Sequence, residues 1–364
     1  MVEKEFTPDE ISLELANLSS ITKRDLVEKL TETPFMNATL DVLCGRNLRN
    51  FTESLTRRRL WKAYLEAFEN YISIRKDYSS SEEIINKALL SQKSNNPKKY
   101  SKGHKNVLNW FLGITGKSTQ NVLRDDKGSE LDDHAQNLIH DIKKNSEGID
   151  HKLTVLSKNQ NSLELDIDDL LYFLNIIGSL TLTIRGSEKS LHGKTFEMLI
   201  LGTIFQILGF KLIKKNDVSH DEYCFWLSSK KGGRESDATL IYKARGVRID
   251  IGFIGRGNTE ITLDKVSRYT RKLEIGGNKF EMDTIILVDS IGDRSNVDEL
   301  AKKIKGKILR MSDSRWVLSM SDELKKVFES DEIGLPNNLR ETREVHKYLK
   351  ANINEIDFNS LLNS

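Results

Sequence analysis

The stretch Gly232–Tyr269, GGRESDATLIYKARGVRIDIGFIGRGNTEITLDKVSRY, decides how this chain is read. It holds two short apolar runs, SDATLIY and GVRIDIGFIG, that alternate as β-strands do. Each carries one acid among the apolar residues: Asp237 opens the first run and Asp250 lies inside the second. The intervening KARG contains Gly246, read as the turn residue, so the two runs form a hairpin. A carboxylate on an otherwise buried strand is costly unless it is paired or holds a cation. Two such carboxylates on neighbouring strands can converge on one point, where a divalent metal satisfies both.

Outward from the hairpin, the second half of the chain alternates. GKTFEMLILGTIFQILGF is an apolar helix ending near Gly209, followed by strands in FKLI and DEYCFWLSS. After the two acid-bearing runs, NTEITLDKVSRYTRKLEI is helical with Thr262 as its N-cap. FEMDTIILVDSI is an apolar strand, NVDELAKKIKGKIL a helix and SRWVLSM a last core strand. Helices and mixed strands in this order describe an α/β sandwich around one sheet.

Residues 1–185 read mainly as helices. In LTRRRLWKAYLEAFENYISI, Leu60, Tyr64, Phe68 and Tyr71 recur on one face with Trp61 and Leu65 beside them, the pattern of a core-facing stripe. SSSEEIINKALLS opens with N-capping serines and two acids in its first turn. The polar stretch RDDKGSELDDHAQNLIHDIKKNSEGIDHKLTVLSKNQNS reads as a surface helix, a hinge or an element that orders on binding. Character changes at GSEKSLHGK, where the boundary is set. The expected organisation is a mainly helical domain over 1–185, an α/β core over 186–330, and a helical tail over 331–364.

The chain has 364 residues, enough for two or three domains, and its 38% apolar and 30% charged content suits a polar-surfaced protein. No stretch reads as a membrane span of about 20 apolar residues. The N-terminus MVEKEFTPDE has no apolar signal core, so export is not expected. Cys44 and Cys224 lack ligand spacing, which argues against a disulfide framework or a zinc site and for a reducing, cytoplasmic setting. The net charge of +2 gives no general pull on polyanions. The segment from Lys93 to Lys105 does concentrate five lysines without an acid. Of these, Lys98, Lys99, Lys102 and Lys105 are candidate phosphate contacts, or simply a solvated loop. Trp110 and Phe111 follow directly, either to stack on bases or to enter a core.

A carboxylate pair that holds a metal works best with a third acid and a cation nearby. Glu197, in HGKTFEMLIL, is the third acid on the margin of the sheet-facing side of its helix. An acid on an initial helix, then Ser236-Asp237 at the head of a strand, then Asp250 on the next strand, resembles the PD-(D/E)xK nuclease fold. The resemblance covers roughly residues 188–325. HGKTFE, LGF, ESDAT and DIGFIGRGN look like the CfrBI-like type of restriction enzyme.

The resemblance implies a restriction-endonuclease-like core and a type II restriction endonuclease of the cytoplasm. Asp237, Asp250 and Glu197 would hold Mg2+, and the products would carry 5′-phosphate and 3′-hydroxyl ends. A palindromic target in double-stranded DNA implies a homodimer, and such a system includes a cognate DNA methyltransferase.

The chain departs from the family at one point. The lysine expected two residues after the second acid is Gly252. Lys265, opening the next helix, is the leading substitute, followed by Arg256 and Arg248. Arg248 shares a strand face with Asp250. Glu235 and Glu260 are weaker candidates for metal ligation. Arg256, Asn258 and Arg268 are the expected DNA contacts around the RGN turn.

Two other classes fit parts of the sequence. With the lysine missing, the chain reads also as a sequence-specific DNA-binding protein that does not cut. IGFIGRGN mimics the opening of a dinucleotide-binding turn and so suggests a nicotinamide-dependent oxidoreductase. Against it, the position of the third glycine is Glu260, an acid that repels pyrophosphate at a helix N-terminus. FLGITGKST lacks the first glycine of a phosphate loop, Phe111 standing there. His192 is the histidine nearest the expected site and reads as a helix-start residue.

Overall fold

The computed structural model describes residues 5–20, 32–94, 99–118, 129–156, 162–219, 221–228, 236–252, 272–275, 278–289 and 306–363. The chain divides into two compact units. The first comprises Met1–Asp25 and Glu53–Ser190; the second comprises Leu26–Thr52 and Leu191–Ser364.

In the first unit, helices α1 (Leu13–Ser19), α3 (Arg49–Arg75), α4 (Ser81–Gln92), α5 (Lys102–Phe111) and α6 (Ser129–Ser146) surround the first part of α7 (Ile167–Ile207). Helix α3 begins in the second unit's segment, as α2 (Glu32–Leu43) lies wholly within it. The expected stripe is core in part: Leu60 and Tyr71 are buried with Ala63, Ala67, Ile74, Trp110 and Tyr172, and Tyr64 and Phe68 are half-buried, but Trp61 and Leu65 are exposed. Trp110 and Phe111 join the same cluster, so they pack rather than stack on a ligand. The polar stretch after residue 123 supplies α6 and an antiparallel hairpin, β1 (Leu153–Leu156) with β2 (Ser162–Leu165), which the helical reading did not include.

An ionic cluster starts α7. Asp169 is 1% exposed. It takes hydrogen bonds from Arg75 Nε at 2.8 Å, Ser81 Oγ at 2.5 Å and Tyr71 Oη at 3.1 Å. Asp166 caps the helix by accepting the Asp169 amide at 2.9 Å.

The second unit is a mixed sheet with helices. Its strands are β3 (Lys211–Leu212), β4 (Cys224–Leu227), β5 (Ala238–Tyr242), β6 (Arg245–Gly252), β7 (Lys272–Ile275), β8 (Asn278–Val288) and β9 (Lys307–Arg310). The order is β3-β4-β5-β6-β8-β7, with β9 also on β8. β4-β5, β5-β6 and β7-β8 are antiparallel, whereas β3-β4, β6-β8 and β8-β9 are parallel. One face carries Phe225, Leu227, Ala238, Leu240, Val247, Ile249, Ile251, Ile285 and Leu287 into the main core. That core is completed by Phe196, Ile200, Ile204 and Leu208 of α7 and by α8 (Trp316–Phe328). The alternate residues Cys224, Trp226, Ile241, Phe280 and Met282 form a smaller cluster, as the two-residue period of a strand requires.

Several expectations are corrected. SRWVLSM is not a strand. Trp316, Met320, Leu324 and Phe328 are all buried at four-residue spacing, so the segment is the start of α8. The end of NVDELAKKIKGKIL is strand β9, and its earlier residues lie outside those described. The division between the two units falls inside GSEKSLHGK, between Ser190 and Leu191, although α7 runs through it as one helix. The tail from residue 331 is part of the second unit, since Val345, Leu349, Ile353, Phe358 and Leu361 enter its main core. So do Phe35 and Val42 of α2, from the N-terminal half of the chain. Trp316 Nε1 donates to Val42 O at 2.9 Å. Finally, α7 is long and apolar enough to cross a membrane by length and composition, which the sequence reading had not anticipated.

Gly246 is not the turn residue either. The turn is Lys243-Ala244, with Lys243 at φ 51°. Gly246 sits within β6 opposite Ile241, where a Cβ would lie 2.6 Å from Met282 Sδ and 3.0 Å from Leu240 O. A side chain here would have to push aside the end of Met282 and crowd the Leu240 carbonyl, so close approach across the sheet favours glycine.

Two outcomes follow for stability. Gly246→Val should destabilise by about 2 kcal/mol through overpacking, read as a lowered denaturation midpoint. Asp169→Asn should cost about 3 kcal/mol at neutral pH, because it leaves Arg75 without its buried counter-charge. Burial raises the Asp169 carboxyl, but its bonds to Arg75, Ser81 and Tyr71 outweigh this and hold it below its usual range. Its stabilisation is therefore complete above the unfolded value of about 3.9 and is lost as pH falls through the lower folded value. The gap between wild type and Asp169→Asn, measured by denaturant titration, should close only in strongly acidic solution.

Candidate active site

The hairpin β5–β6 brings the two aspartates together. Ala238 pairs with Ile249. One further step of that antiparallel register sets Asp237 opposite Asp250, with both side chains on the same face of the sheet. Asp237 lies at the mouth of β5, where its carbonyl accepts from the Ser228 amide at 3.0 Å and extends the β4 ladder. Its Oδ2 accepts from the Ile251 amide at 2.9 Å, so the carboxylate is tied to the residue after Asp250. Asp250 is 4% exposed and Asp237 is half-buried.

This is the face away from Ile249 and Ile251. Arg248, two residues before Asp250, lies on it as anticipated and is 8% exposed. Thr239, opposite Arg248 in the register, is buried and lies 3.0 Å from Ser236 through the two hydroxyls. The face thus runs from an apolar cluster around Met282 to a polar end holding two carboxylates, a guanidinium and two hydroxyls. Gly252, where the family's lysine is expected, closes β6 and presents no side chain.

Glu197 is half-buried on α7 between the buried Phe196 and Met198. Those neighbours belong to the main core, so Glu197 approaches from the side of Ile249 and Ile251. Among the described residues, no three His, Cys, Asp or Glu side chains form a metal-ligand cluster. The described donor set is therefore two carboxylates. As hard anionic oxygens brought to one point they fit a hard divalent cation such as Mg2+ or Ca2+, with water completing the shell.

One acid was missed by the sequence reading. Asp289 follows β8 directly, and its amide donates to Gly252 O at 3.2 Å, which puts it beside the end of β6. Burial raises the Asp289 carboxyl, with Arg49 pulling the other way. Its signal was an acid ending a wholly apolar strand in FEMDTIILVDSI.

Lys265, Arg256, Asn258, Arg268, Glu260, Glu235 and Lys98 lie outside the described residues. Lys99 is engaged in the first unit by Glu5 at 2.5 Å and by the Tyr100 ring at 5.1 Å. Lys102 and Lys105 are exposed on α5. His192 is buried in α7.

Comparison with known proteins bears on the same stretch. A family model described as the CfrBI restriction endonuclease matches residues 32–296. The chain is 39% identical over 344 residues to the type II restriction enzyme CfrBI of Citrobacter freundii, covering 94% of this chain and 95% of that protein. No solved structure matches. The matched span includes both aspartates, their hairpin and α7, and at this extent of likeness the chain belongs to the CfrBI restriction endonuclease family.

Proposed function

We infer that this protein is a type II restriction endonuclease, a site-specific deoxyribonuclease acting on double-stranded DNA. The non-cleaving and oxidoreductase readings are not favoured by the family. The observation that carries the chemistry is the register that sets Asp237 against Asp250 at the open end of a hairpin.

We further propose a PD-(D/E)xK-type core in which Asp237 and Asp250 hold Mg2+, with Glu197 assisting from the flank. The cation, when bound, supplies Lewis-acid stabilisation of phosphate charge and a more acidic water. The chain's own residues do the rest. The Ile251 amide fixes the Asp237 carboxylate, and burial fixes Asp250. Lys265 orients the water that attacks phosphorus in line, and Arg256, Asn258 and Arg268 contact the duplex. Lys98, Lys99, Lys102 and Lys105 of the first unit are further phosphate contacts on this reading. The attack expels the 3′ oxygen, leaving 5′-phosphate and 3′-hydroxyl ends. A twofold dimer would cut both strands of a palindrome. The setting would be the cytoplasm, where a methyltransferase of the same system protects the host sequence.

Digestion of unmethylated phage DNA in Mg2+ should give discrete fragments, and EDTA should abolish them. Asp237→Asn and Asp250→Asn should each lower cleavage by at least about 1000-fold while a duplex carrying the site still binds. Glu197→Gln should cost only about 10- to 100-fold, in keeping with an assisting group. Full activity in Asp250→Asn would refute the assignment. For the cation, Lys265→Ala should slow single-turnover cleavage about 100-fold without weakening binding. If Arg248→Ala has that effect and Lys265→Ala does not, the role belongs to Arg248.

A further inference from the structure

Two helices of the first unit leave an apolar face uncovered. On α3, Trp61 and Leu65 are 59% and 67% exposed; on α7, Leu174 and Leu182 are 62% and 68% exposed. Residues 61 and 65 are one helical turn apart, and residues 174, 178 and 182 follow the same step, so each set forms a row. The rows are neighbours. Tyr64 Oη lies 2.9 Å from Thr181 Oγ1, and the Phe68 and Phe173 rings meet edge-on at 5.5 Å. Gly178 stands between the two leucines, and a Cβ there would meet nothing within 4 Å, so the row has an open notch at its middle. Monomeric proteins seldom leave several large apolar side chains exposed side by side unless something covers them.

We propose that this face is where a second copy of the chain docks across a twofold axis. A surface used by both members of a twofold pair must be complementary to itself. The exposed row of α3 meets that condition. It reads Arg58, Trp61, Leu65, Glu69 at steps of three and four, all four exposed. Two such helices laid antiparallel about a point between Trp61 and Leu65 put each Trp61 against the other copy's Leu65. The same pairing puts each Arg58 against the other copy's Glu69. Apolar residues lie at the axis and opposite charges at both ends, the distribution of a specific interface. Leu174 and Leu182 extend the apolar centre on both sides of the Gly178 notch.

A lipid surface is the other possible cover, since this part of α7 is also apolar enough for one. It would have to desolvate Arg58 and Glu69 without pairing them, which a twofold partner avoids; Lys62 is already paired with Glu14. The choice of a second copy rests on the proposed cleavage of both DNA strands by a chain whose described residues bring one acidic pair together.

The test uses the full chain in sedimentation equilibrium. Wild type should be a dimer. Leu65→Glu with Leu182→Glu should raise its dissociation constant by at least about 100-fold while the far-ultraviolet circular dichroism stays that of the folded chain; the melting temperature should fall, because association no longer stabilises the folded state. Arg58→Glu alone should raise it about 10-fold, and adding Glu69→Arg to the same chain should restore it, because the pair is only exchanged across the axis. A dimer undiminished by Leu65→Glu with Leu182→Glu would overturn this surface while leaving a dimeric enzyme intact. A wild type that stays monomeric at tens of micromolar would overturn both. A monomer that floats with phosphatidylcholine–phosphatidylglycerol vesicles, and loses flotation in the double variant, would assign the face to lipid.

Discussion

Two like charges set opposite each other on adjacent strands repel, and the second unit is built to hold such a pair in place. Register, not side-chain choice, does this: Asp237 and Asp250 meet because Ala238 pairs with Ile249. A slip of one residue would turn Asp250 into the main core and Ile249 and Ile251 out of it. The apolar residues alternating with the acids thus set where the carboxylates point. Burial of Ile249 and Ile251 at 0% exposure is what makes the slip prohibitive.

The hairpin was legible from sequence because its signals are local. Alternation, acids at strand positions and a short connection all fall within one window. What failed there was the reading of Gly246. Its reason is a sulfur atom on β8, tens of residues away in the chain, and no window contains both. SRWVLSM was misassigned for a related reason. The seven-residue segment fits a strand, and only Leu324 and Phe328 beyond its end reveal the helical period.

Domain limits were accessible in part. Composition changes near residue 185, close to the division at Ser190 and Leu191, although the backbone continues through it as one helix. Residues 26–52 join the second unit although a long helical stretch separates them from it in sequence, and the polar tail hides eight core residues among charged ones. The site was half legible. Asp237, Asp250 and Arg248 share a face as the alternation implied, while Asp289 went unnoticed because its partner Gly252 lies on another strand. Glu197, chosen from family order, stands on the side of the sheet where the main core lies.

The arrangement of the second unit along the chain has a consequence for biosynthesis. Val42 receives the Trp316 indole across 274 residues, and Leu361 is among the last core residues to be made. Contacts this distant in sequence are slow to form, since the loop must close before they stabilise anything. A nascent chain emerging at about 5–20 residues per second has translated both aspartates well before the residues that complete their core. An enzyme that cuts DNA therefore completes the core beneath its acidic hairpin only after residues far beyond both aspartates have been made.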